Sequence, residues 1–539
     1  DFDFEVRGGG QGVRGMTGKQ SPVEGLRALI KDASEKNILS TAAFFAEKLV
    51  CMPERHPSDV YTLGRLYFQQ RMYRRAHLTL QQVKEWPDLR FRLLAAQCLL
   101  ECKSFDQCLA VLEAGEEEMD VDVQKDETGV DTVAAMWLIK GKVFDFQQNR
   151  MKAAYWYQEC VKRDVHCFEA FELLIDNHML TAQQERELLS SLSFKEEDAW
   201  LQVFYHSRVK KYDLSVSHPV NDESLEPFPF LANSLDLMAI EAEFSYYHNN
   251  FAKCYEQTQA ILSRDPFAHS CLPVHLSSLV ELQLKRELFI DAHKLVDDHS
   301  DSAAAWYAVG CYYYLTQKFE QARRHFHKAT SINPYFAPAW LGYGHTFAAQ
   351  DESDQALAAY RTASRFFCGC HLPTLCIGME YAKTGNLQIA EQFFGHAAGI
   401  CSFDPLAFNE IGVVRFLQRD YDEAATAFEK VLQLCGQQLS STWEPTLFNL
   451  GHCYRKQHRF DLAIQSYNKA LHCSPRNAST YSAIGFTYHL KGDFDVAIDY
   501  YHKALGLNAQ DSLTTEMLER ALRDAASGMT GKLLYREER

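Results

Sequence analysis

Cysteine and histidine residues close together near position 370 could bind a metal ion. Cys368, Cys370 and His371 lie in one short stretch, and Cys376 follows them. Thiolate and imidazole groups are preferred zinc ligands. A structural zinc site, however, usually combines two ligand pairs with characteristic spacing, and Cys-x-Cys-His without a second pair does not fit. We interpret the stretch as a turn with incidental thiols and predict no metal site.

The Gly-rich segment ending in Gly18 and Lys19 resembles part of a phosphate-binding loop. That motif needs an earlier glycine at position 13, which is Val13, and a magnesium-binding Ser or Thr at position 20, which is Gln20. No strand is predicted before the segment. We therefore predict neither a nucleotide site nor any other cofactor.

The chain has 16 cysteines and 21 histidines, enough for nucleophile–base pairs. His325, His327 and His502 fall on the exposed faces of predicted helices, and hydrolase, kinase and zincin motifs are missing. Catalytic groups usually converge from rigid loops, which helical repeats rarely provide. We predict that the protein is not an enzyme.

The overall charge and hydropathy limit the classes of partner. The formal charge is −16, from 55 basic and 71 acidic residues, so binding to nucleic acid is disfavoured. No apolar run is long enough to predict a membrane span. The cysteines occur mostly singly within apolar helical patterns, which indicates reduced thiols in the cytosol or nucleus. Other proteins are the expected partners.

The elements that carry these residues follow a repeat of 34 positions. A glycine recurs at one position of each copy of the repeat. Five additional residues are inserted around 435–442, after the fourth of these glycines. The glycines are Gly310, Gly344, Gly378, Gly412, Gly451 and Gly485. An alanine stands twelve positions after each glycine. These alanines are Ala322, Ala356, Ala390, Ala424, Ala463 and Ala497.

Aromatic residues complete the pattern. One stands four positions after each alanine, as in Phe326 and Tyr360, and a small residue follows three positions later in most copies. Two antiparallel helices need small side chains where their axes approach to about 8–10 Å. The spacing is that of the tetratricopeptide repeat (TPR), with Trp306 and Trp340 at its opening position. We predict an all-α TPR solenoid of about 13–14 helical hairpins with a C-terminal capping helix.

Interruptions of the repeat suggest how the chain is divided. We expect a disordered leader at 1–20, an N-terminal TPR array at 21–212 with an acidic loop at 115–132, and a linker at 213–234. A C-terminal TPR superhelix at 235–510 and a capping helix with a tail at 511–539 follow. Weaker repeats are expected around Ile30 and Ala96.

The first helix of each TPR hairpin lines a concave groove, which suits an extended or helical peptide. Its inward positions hold a mixture of apolar, aromatic and polar residues, any of which could instead belong to the core between repeats. The candidates are Tyr307, Cys311, Tyr314, Leu341, His345, Leu375, Met379, Asn409, Val413, Phe416, Phe448, His452, Arg455, Ser482, Phe486 and His489. Since only Arg455 is basic, a terminal carboxylate is not the expected ligand.

Several stretches outside the TPR pattern resemble one family. They are His178–Gln183, Asp265–His275, Gly369–Pro373, Trp443–Pro445 and Asn477–Gly485. Over about residues 60–507 the chain is similar to the TPR scaffold subunit of the anaphase-promoting complex, or cyclosome, in the cell division cycle protein sixteen family.

The resemblance implies a structural role in a multi-subunit ubiquitin ligase that acts in the cell cycle. It implies a homodimer formed by the N-terminal repeats and a small subunit, cell division cycle protein twenty-six, in the C-terminal groove. It further implies contacts with other TPR subunits and a platform subunit, and a location in the nucleus and cytoplasm with the spindle as a further site.

Two features of the chain depart from the resemblance. The Gly-rich start is not typical of the family, and the family's phosphorylatable acidic tail does not follow the last repeat, so we expect a fragment or an incomplete gene model. The alternative function is a TPR peptide-binding adaptor of another assembly.

Overall fold

The computed structural model describes residues 22–53, 56–83, 86, 88–114, 129–209, 227–266, 268, 270–435 and 441–527. In these ranges the chain forms α-helices and short 3₁₀ segments, without a β-strand. The expected leader at 1–20 and the end of the expected tail, 528–539, lie outside the described residues.

Twenty-eight α-helices follow one another along the described chain. The first eleven are α1 (Pro22–Glu35), α2 (Leu39–Val50), α3 (Pro57–Gln69), α4 (Tyr73–Leu80), α5 (Leu89–Glu101), α6 (Phe105–Glu113), α7 (Thr132–Phe146), α8 (Arg150–Arg163), α9 (Phe168–Asp176), α10 (Ala182–Ser191) and α11 (Ala199–Val209). The next eight are α12 (Leu235–Tyr247), α13 (Phe251–Arg264), α14 (Leu272–Glu281), α15 (Lys285–Asp298), α16 (Ala303–Leu315), α17 (Phe319–Ile332), α18 (Ala337–Ala348) and α19 (Ser353–Phe366). The last nine are α20 (His371–Lys383), α21 (Leu387–Ile400), α22 (Pro405–Leu417), α23 (Tyr421–Cys435), α24 (Glu444–Lys456), α25 (Phe460–Cys473), α26 (Ala478–Lys491), α27 (Phe494–Leu507) and α28 (Ser512–Ser527).

Each hairpin reverses direction through one residue in the left-handed backbone region. In the α16–α17 hairpin this residue is Gln317, with φ of 61°. Its N–H donates to the carbonyl of Tyr314, and the N–H of Lys318 donates to that of Tyr313, which satisfies the last carbonyls of the first helix. The same conformation recurs seven positions after each of the six repeat glycines, and residues with positive φ occupy thirteen hairpin turns in the described chain. The predicted all-α TPR solenoid, with thirteen hairpins described and α28 as the terminal helix, is confirmed.

The chain forms two compact units, one ending at Phe171 and the other beginning at Glu172. Of the predicted linker at 213–234, only residues 227–234 are described, and they contain a 3₁₀ turn at Leu231–Asn233. Of the predicted acidic loop at 115–132, only the end is described. There Asp131 caps α7, because its Oδ1 accepts a hydrogen bond from the N–H of Val133 at 2.9 Å.

Glycine on the first helix of a hairpin makes room for an aromatic ring on the second. A Cβ atom placed on Gly310 would lie 2.5 Å from Cε1 of Phe326, and one on Gly412 would lie 2.7 Å from Cε1 of Phe428. The same arrangement pairs Gly344 with Tyr360, Gly378 with Phe394, Gly451 with Tyr467 and Gly485 with Tyr501. These rings are almost completely buried. Each of these six hairpins is therefore closed by a ring that occupies the place of a missing side chain.

The alanines of the repeat lie at the other side of the same interface. Ala322, Ala356, Ala390, Ala424, Ala463 and Ala497 are all fully buried. A larger side chain at these positions would push the two helices apart, since protein cores have little free volume.

Two glycines in the α20–α21 hairpin provide a matched test of this packing. We expect Gly378→Ala to destabilise the hairpin by about 1–3 kcal/mol, because the new methyl group would overlap the ring of Phe394. Gly395→Ala on the facing helix should instead stabilise it by about 1 kcal/mol, because nothing lies within 4 Å of the new Cβ and alanine favours helix.

Amide hydrogen exchange in α20 and α21 would measure both changes locally, which suits a repeat protein whose global unfolding can be multistate. Equal effects of the two substitutions would contradict the ring-against-glycine packing.

Candidate protein-binding groove

The predicted groove residues lie on the first helices α16, α18, α20, α22, α24 and α26 of consecutive hairpins. The structure divides them by exposure. His345 and Met379 are exposed, and most of the others are half-buried. Four of the predicted residues are buried and therefore pack against other side chains of this chain, namely Tyr307, Cys311, Leu375 and His489. The half-buried set is Tyr314, Leu341, Asn409, Val413, Phe416, Phe448, His452, Arg455, Ser482 and Phe486.

Polar groove residues at the start of the first helices bond across neighbouring repeats. The hydroxyl of Ser277 lies 2.9 Å from that of Tyr307. Thr446 donates from Oγ1 to Oδ1 of Asn409 at 2.8 Å, and the hydroxyls of Ser482 and Thr514 are also 2.8 Å apart. These side chains connect successive hairpins and thereby fix the spacing of the helices along the groove.

Two groove histidines are held by tyrosines of their own hairpins. Nδ1 of His345 lies 2.7 Å from the hydroxyl of Tyr360, and Nδ1 of His452 lies 2.5 Å from that of Tyr467. Burial disfavours the imidazolium ion and lowers the pKa of His452 to about 4, and the positive charges of Arg455 and Lys456 act in the same direction. Burial raises the pKa of Tyr467 to about 12. The His452–Tyr467 pair is therefore neutral near pH 7, whereas His345 is exposed to solvent.

Aromatic side chains surround the second of these histidines. The ring of Phe448 lies 4.3 Å from that of His452, centroid to centroid, and Phe416 lies 6.5 Å away. The Arg455 guanidinium lies over the ring of Phe486 at 4.8 Å. An aromatic wall with fixed polar groups suits a polypeptide segment, because rings supply contact area and the polar groups fix register.

The sequence did not identify Tyr360 and Tyr467 as part of the site. The repeat spacing predicts both tyrosines only as core aromatics. They do have that role, because each ring fills the space above a glycine. The available signal was a histidine directly after the repeat glycine, together with a tyrosine fifteen positions later. His489 also gains a role that the sequence did not indicate, because its Nε2 lies 3.0 Å from Oδ2 of Asp524 on the capping helix.

The cysteine-rich stretch has a packing role. His371 bonds through Nε2 to Oδ2 of Asp404 at 2.5 Å, one repeat further on, and Cys370 is buried. No group of three or more potential metal-ligating side chains occurs in the described ranges. All cysteines are free thiols, and burial raises the pKa of Cys254, for example, to about 12. Such thiols are poor nucleophiles near pH 7.

Consecutive hairpins and a side-chain-lined groove define a TPR protein of the scaffold and protein-binding class. TPR family models match residues 303–336, 403–473 and 478–511. A model of anaphase-promoting complex, cyclosome, subunit 3 matches residues 35–115. None of the helices in the described ranges is both long and apolar enough to cross a membrane.

Similarity over most of the chain identifies the family. The chain is 44% identical to anaphase-promoting complex subunit 6 of Arabidopsis thaliana, over 94% of this chain and 97% of the relative. It is 39% identical to the cell division cycle protein 16 homolog of Homo sapiens, over 92% of this chain and 83% of the relative. The chain belongs to this family, the subunit 6 or cell division cycle protein 16 family of the anaphase-promoting complex.

A solved structure agrees with this membership. The crystal structure of the anaphase-promoting complex hetero-tetramer Cut9–Hcn1 matches with a TM-score of 0.74 and 32% identity. The match covers 93% of this chain and 97% of that chain. Cut9 of Schizosaccharomyces pombe is itself a member of the complex, as anaphase-promoting complex subunit cut9. The resemblance seen in the sequence is therefore confirmed.

The groove histidines make stability depend on pH. An unfolded histidine titrates near about 6.5, whereas the pKa of His452 is lowered to about 4 in the folded chain. The unfolded state binds more protons between these values, so this contribution to stability is present at pH 7 and decreases as the pH falls towards 4.

We expect His452→Gln to remove on the order of 1 kcal/mol of the stability difference between pH 7 and pH 5. Urea unfolding of wild type and variant at both pH values would measure it. An unchanged pH dependence in the variant would show that His452 does not titrate as the structure implies.

Proposed function

We propose that this chain is a non-catalytic scaffold subunit of an anaphase-promoting complex, a multi-subunit ubiquitin ligase that acts in the cell cycle. The observation that carries the proposal is the groove in the C-terminal hairpins, where Phe416, Phe448 and Phe486 stand half-buried beside polar groups. Family membership supplies the assembly in which such a groove would work. Catalysis would reside in other subunits.

The proposed occupant of the groove is the N-terminal segment of the small subunit, cell division cycle protein twenty-six. The matched crystal structure contains Cut9 in a hetero-tetramer with Hcn1, which supports a dedicated partner for proteins of this family. Half-buried aromatic rings beside polar groups are the kind of surface a partner segment desolvates. Other TPR subunits and the platform subunit are the further proposed neighbours.

A homodimer through the N-terminal repeats is also part of the proposal. The position two residues after the buried alanine of the second helix carries exposed apolar side chains in this unit, namely Phe44, Leu78 and Tyr155. In the other unit the same position is mostly polar, as in Arg324 and Gln465, with Ile290 as an exception. A recurring exposed apolar position favours a protein interface.

For the location we propose the nucleus and cytoplasm, with the spindle as a further site. The free thiols are compatible with a reducing compartment.

The partner assignment is tested with the full chain and a peptide of the small subunit's N-terminal segment. We expect a dissociation constant in the micromolar range or tighter. Phe448→Asp should weaken binding by about tenfold or more, because it places a charge among the rings of the groove. Leu462→Asp is the matched control, since Leu462 is an exposed residue on the second helix of the same hairpin.

Isothermal titration calorimetry would give all three constants. Absence of binding by the wild-type chain would exclude the assigned partner, and equal loss in both variants would place the peptide outside the groove.

The dimer is tested at one repeat position in the two units. We expect Leu78→Asp to shift the protein towards monomer, because a charge replaces a side chain that is 63% exposed in the isolated chain and would be buried in the dimer. Ile290→Asp, at the equivalent position of the other unit, should leave the dimer intact. Sedimentation velocity distinguishes the two states, and a monomeric wild-type chain at micromolar concentration would refute the dimer.

A further inference from the structure

The two turns at residues 177–181 and 367–371 contact each other although they are far apart in the sequence. Both lie in the unit that begins at Glu172. The N–H of Gly369 donates to the carbonyl of His178 at 2.8 Å. The thiol of Cys368 donates to the carbonyl of Met179 at 3.5 Å, across 189 positions of sequence. The ring of His178 meets that of Phe367 edge-on, with centroids 6.4 Å apart.

Gly369 is required at this contact because of space. Its φ is not positive, so backbone freedom is not the reason for glycine. A Cβ atom at position 369 would overlap the carbonyl oxygen of Leu180, which belongs to the backbone and cannot rotate away. Met179 and Leu180 are buried beside it. Only glycine allows the two turns to approach this closely.

A second contact lies one repeat further along the chain. Arg186 of α10 stands over the ring of Phe403 at 3.7 Å. Phe403 belongs to the turn between α21 and α22, 34 positions after Gly369. The α9–α10 hairpin therefore contacts two successive turns between repeats, at equivalent positions of both.

Contacts of this kind are unusual in a solenoid. Each repeat normally touches only its neighbours, and the side-chain bonds between repeats follow that rule, as in His371 and Asp404, which are 33 positions apart. The contact between His178 and Gly369 instead joins elements separated by several hairpins. It thus restrains the pitch of the superhelix. Contacts between neighbouring repeats determine this pitch only indirectly, because each contributes a small rotation and the rotations accumulate.

The helices that begin at these turns carry groove residues. The helix α20 starts at His371 and bears Met379, and α22 starts at Pro405 and bears Asn409 and Val413. We propose that the α9–α10 hairpin acts as a brace, which holds α20 and α22 at the separation that the partner segment needs. The brace thereby sets the affinity of the groove without lining it, an inference that rests on the proposed peptide-binding function.

The test compares Gly369→Ala with Gly399→Ala in the full chain. Gly399 is a helical glycine of α21 with nothing within 4 Å of a new Cβ, so it reports the effect of an added methyl group alone. We expect Gly369→Ala to accelerate amide exchange at residues 177–186 and 368–371 by about tenfold or more. We also expect it to weaken binding of the small-subunit peptide by about tenfold, with no such change in Gly399→Ala.

A second pair of variants keeps the test decisive if Gly369→Ala fails to fold. Arg186→Ala and Phe403→Leu change one contact of the brace that is partly exposed. In a double-mutant cycle on peptide affinity, the double variant should lose little more than either single variant, since both remove the same contact.

Two results would overturn the proposal. One is unchanged exchange at 177–186 in Gly369→Ala, which would mean that the hairpin is not held by this turn. The other is faster exchange with unaltered peptide affinity, which would mean that the brace does not set the groove. If the wild-type chain does not bind the peptide, the proposed function has failed, and the exchange measurement still decides whether the hairpin and the turns are coupled.

Discussion

The structure depends on aromatic rings that lie where the facing helix has no side chain. In the six hairpins from α16 to α27 the ring of the second helix occupies the space above a glycine of the first, as Phe394 does above Gly378. The contact sets the distance and the rotation of the two helices at once, because a ring fills the gap only in one orientation. Repetition of the same contact gives these six hairpins nearly the same geometry, and therefore gives their first helices a common inner face.

That common face explains how the groove gets both its shape and its chemistry from core packing. Tyr360 and Tyr467 fill the space above their glycines and also hold His345 and His452 through their hydroxyls. A single residue type thus serves the hairpin core and positions a polar group in the groove. Since its low pKa keeps His452 neutral near pH 7, this part of the groove can offer directional hydrogen bonds without the desolvation cost of a buried charge.

Neighbour contacts alone leave a solenoid flexible over long distances, because small rotations between repeats accumulate. The hydrogen bond from Gly369 to His178 is a contact of another kind, since it joins hairpins that are not neighbours. This hydrogen bond and the contact of Arg186 with the ring of Phe403 explain why these residues are present, although the TPR pattern does not require them. Partner binding and the pitch of this unit are linked in that interpretation.

The sequence alone determined the fold class and the repeat, because packing between neighbouring helices depends on residues a fixed distance apart. The glycines, alanines and aromatics recur at constant spacing, and every hairpin named from them is present. It also determined the family, through stretches such as His178–Gln183 and Gly369–Pro373 that lie outside the repeat. The groove could be predicted only as a set of positions, since spacing does not distinguish the exposed His345 from the buried Leu375.

Only the tertiary structure showed that those two family-specific stretches touch each other. It also showed that His489 bonds to Asp524 of the terminal helix instead of facing an open groove. Contacts of this kind depend on how many small rotations add up along the chain, and no periodic pattern encodes that sum. The spacing of residues within and between neighbouring repeats can be observed in the sequence, whereas the contact between distant turns is a property of the folded solenoid.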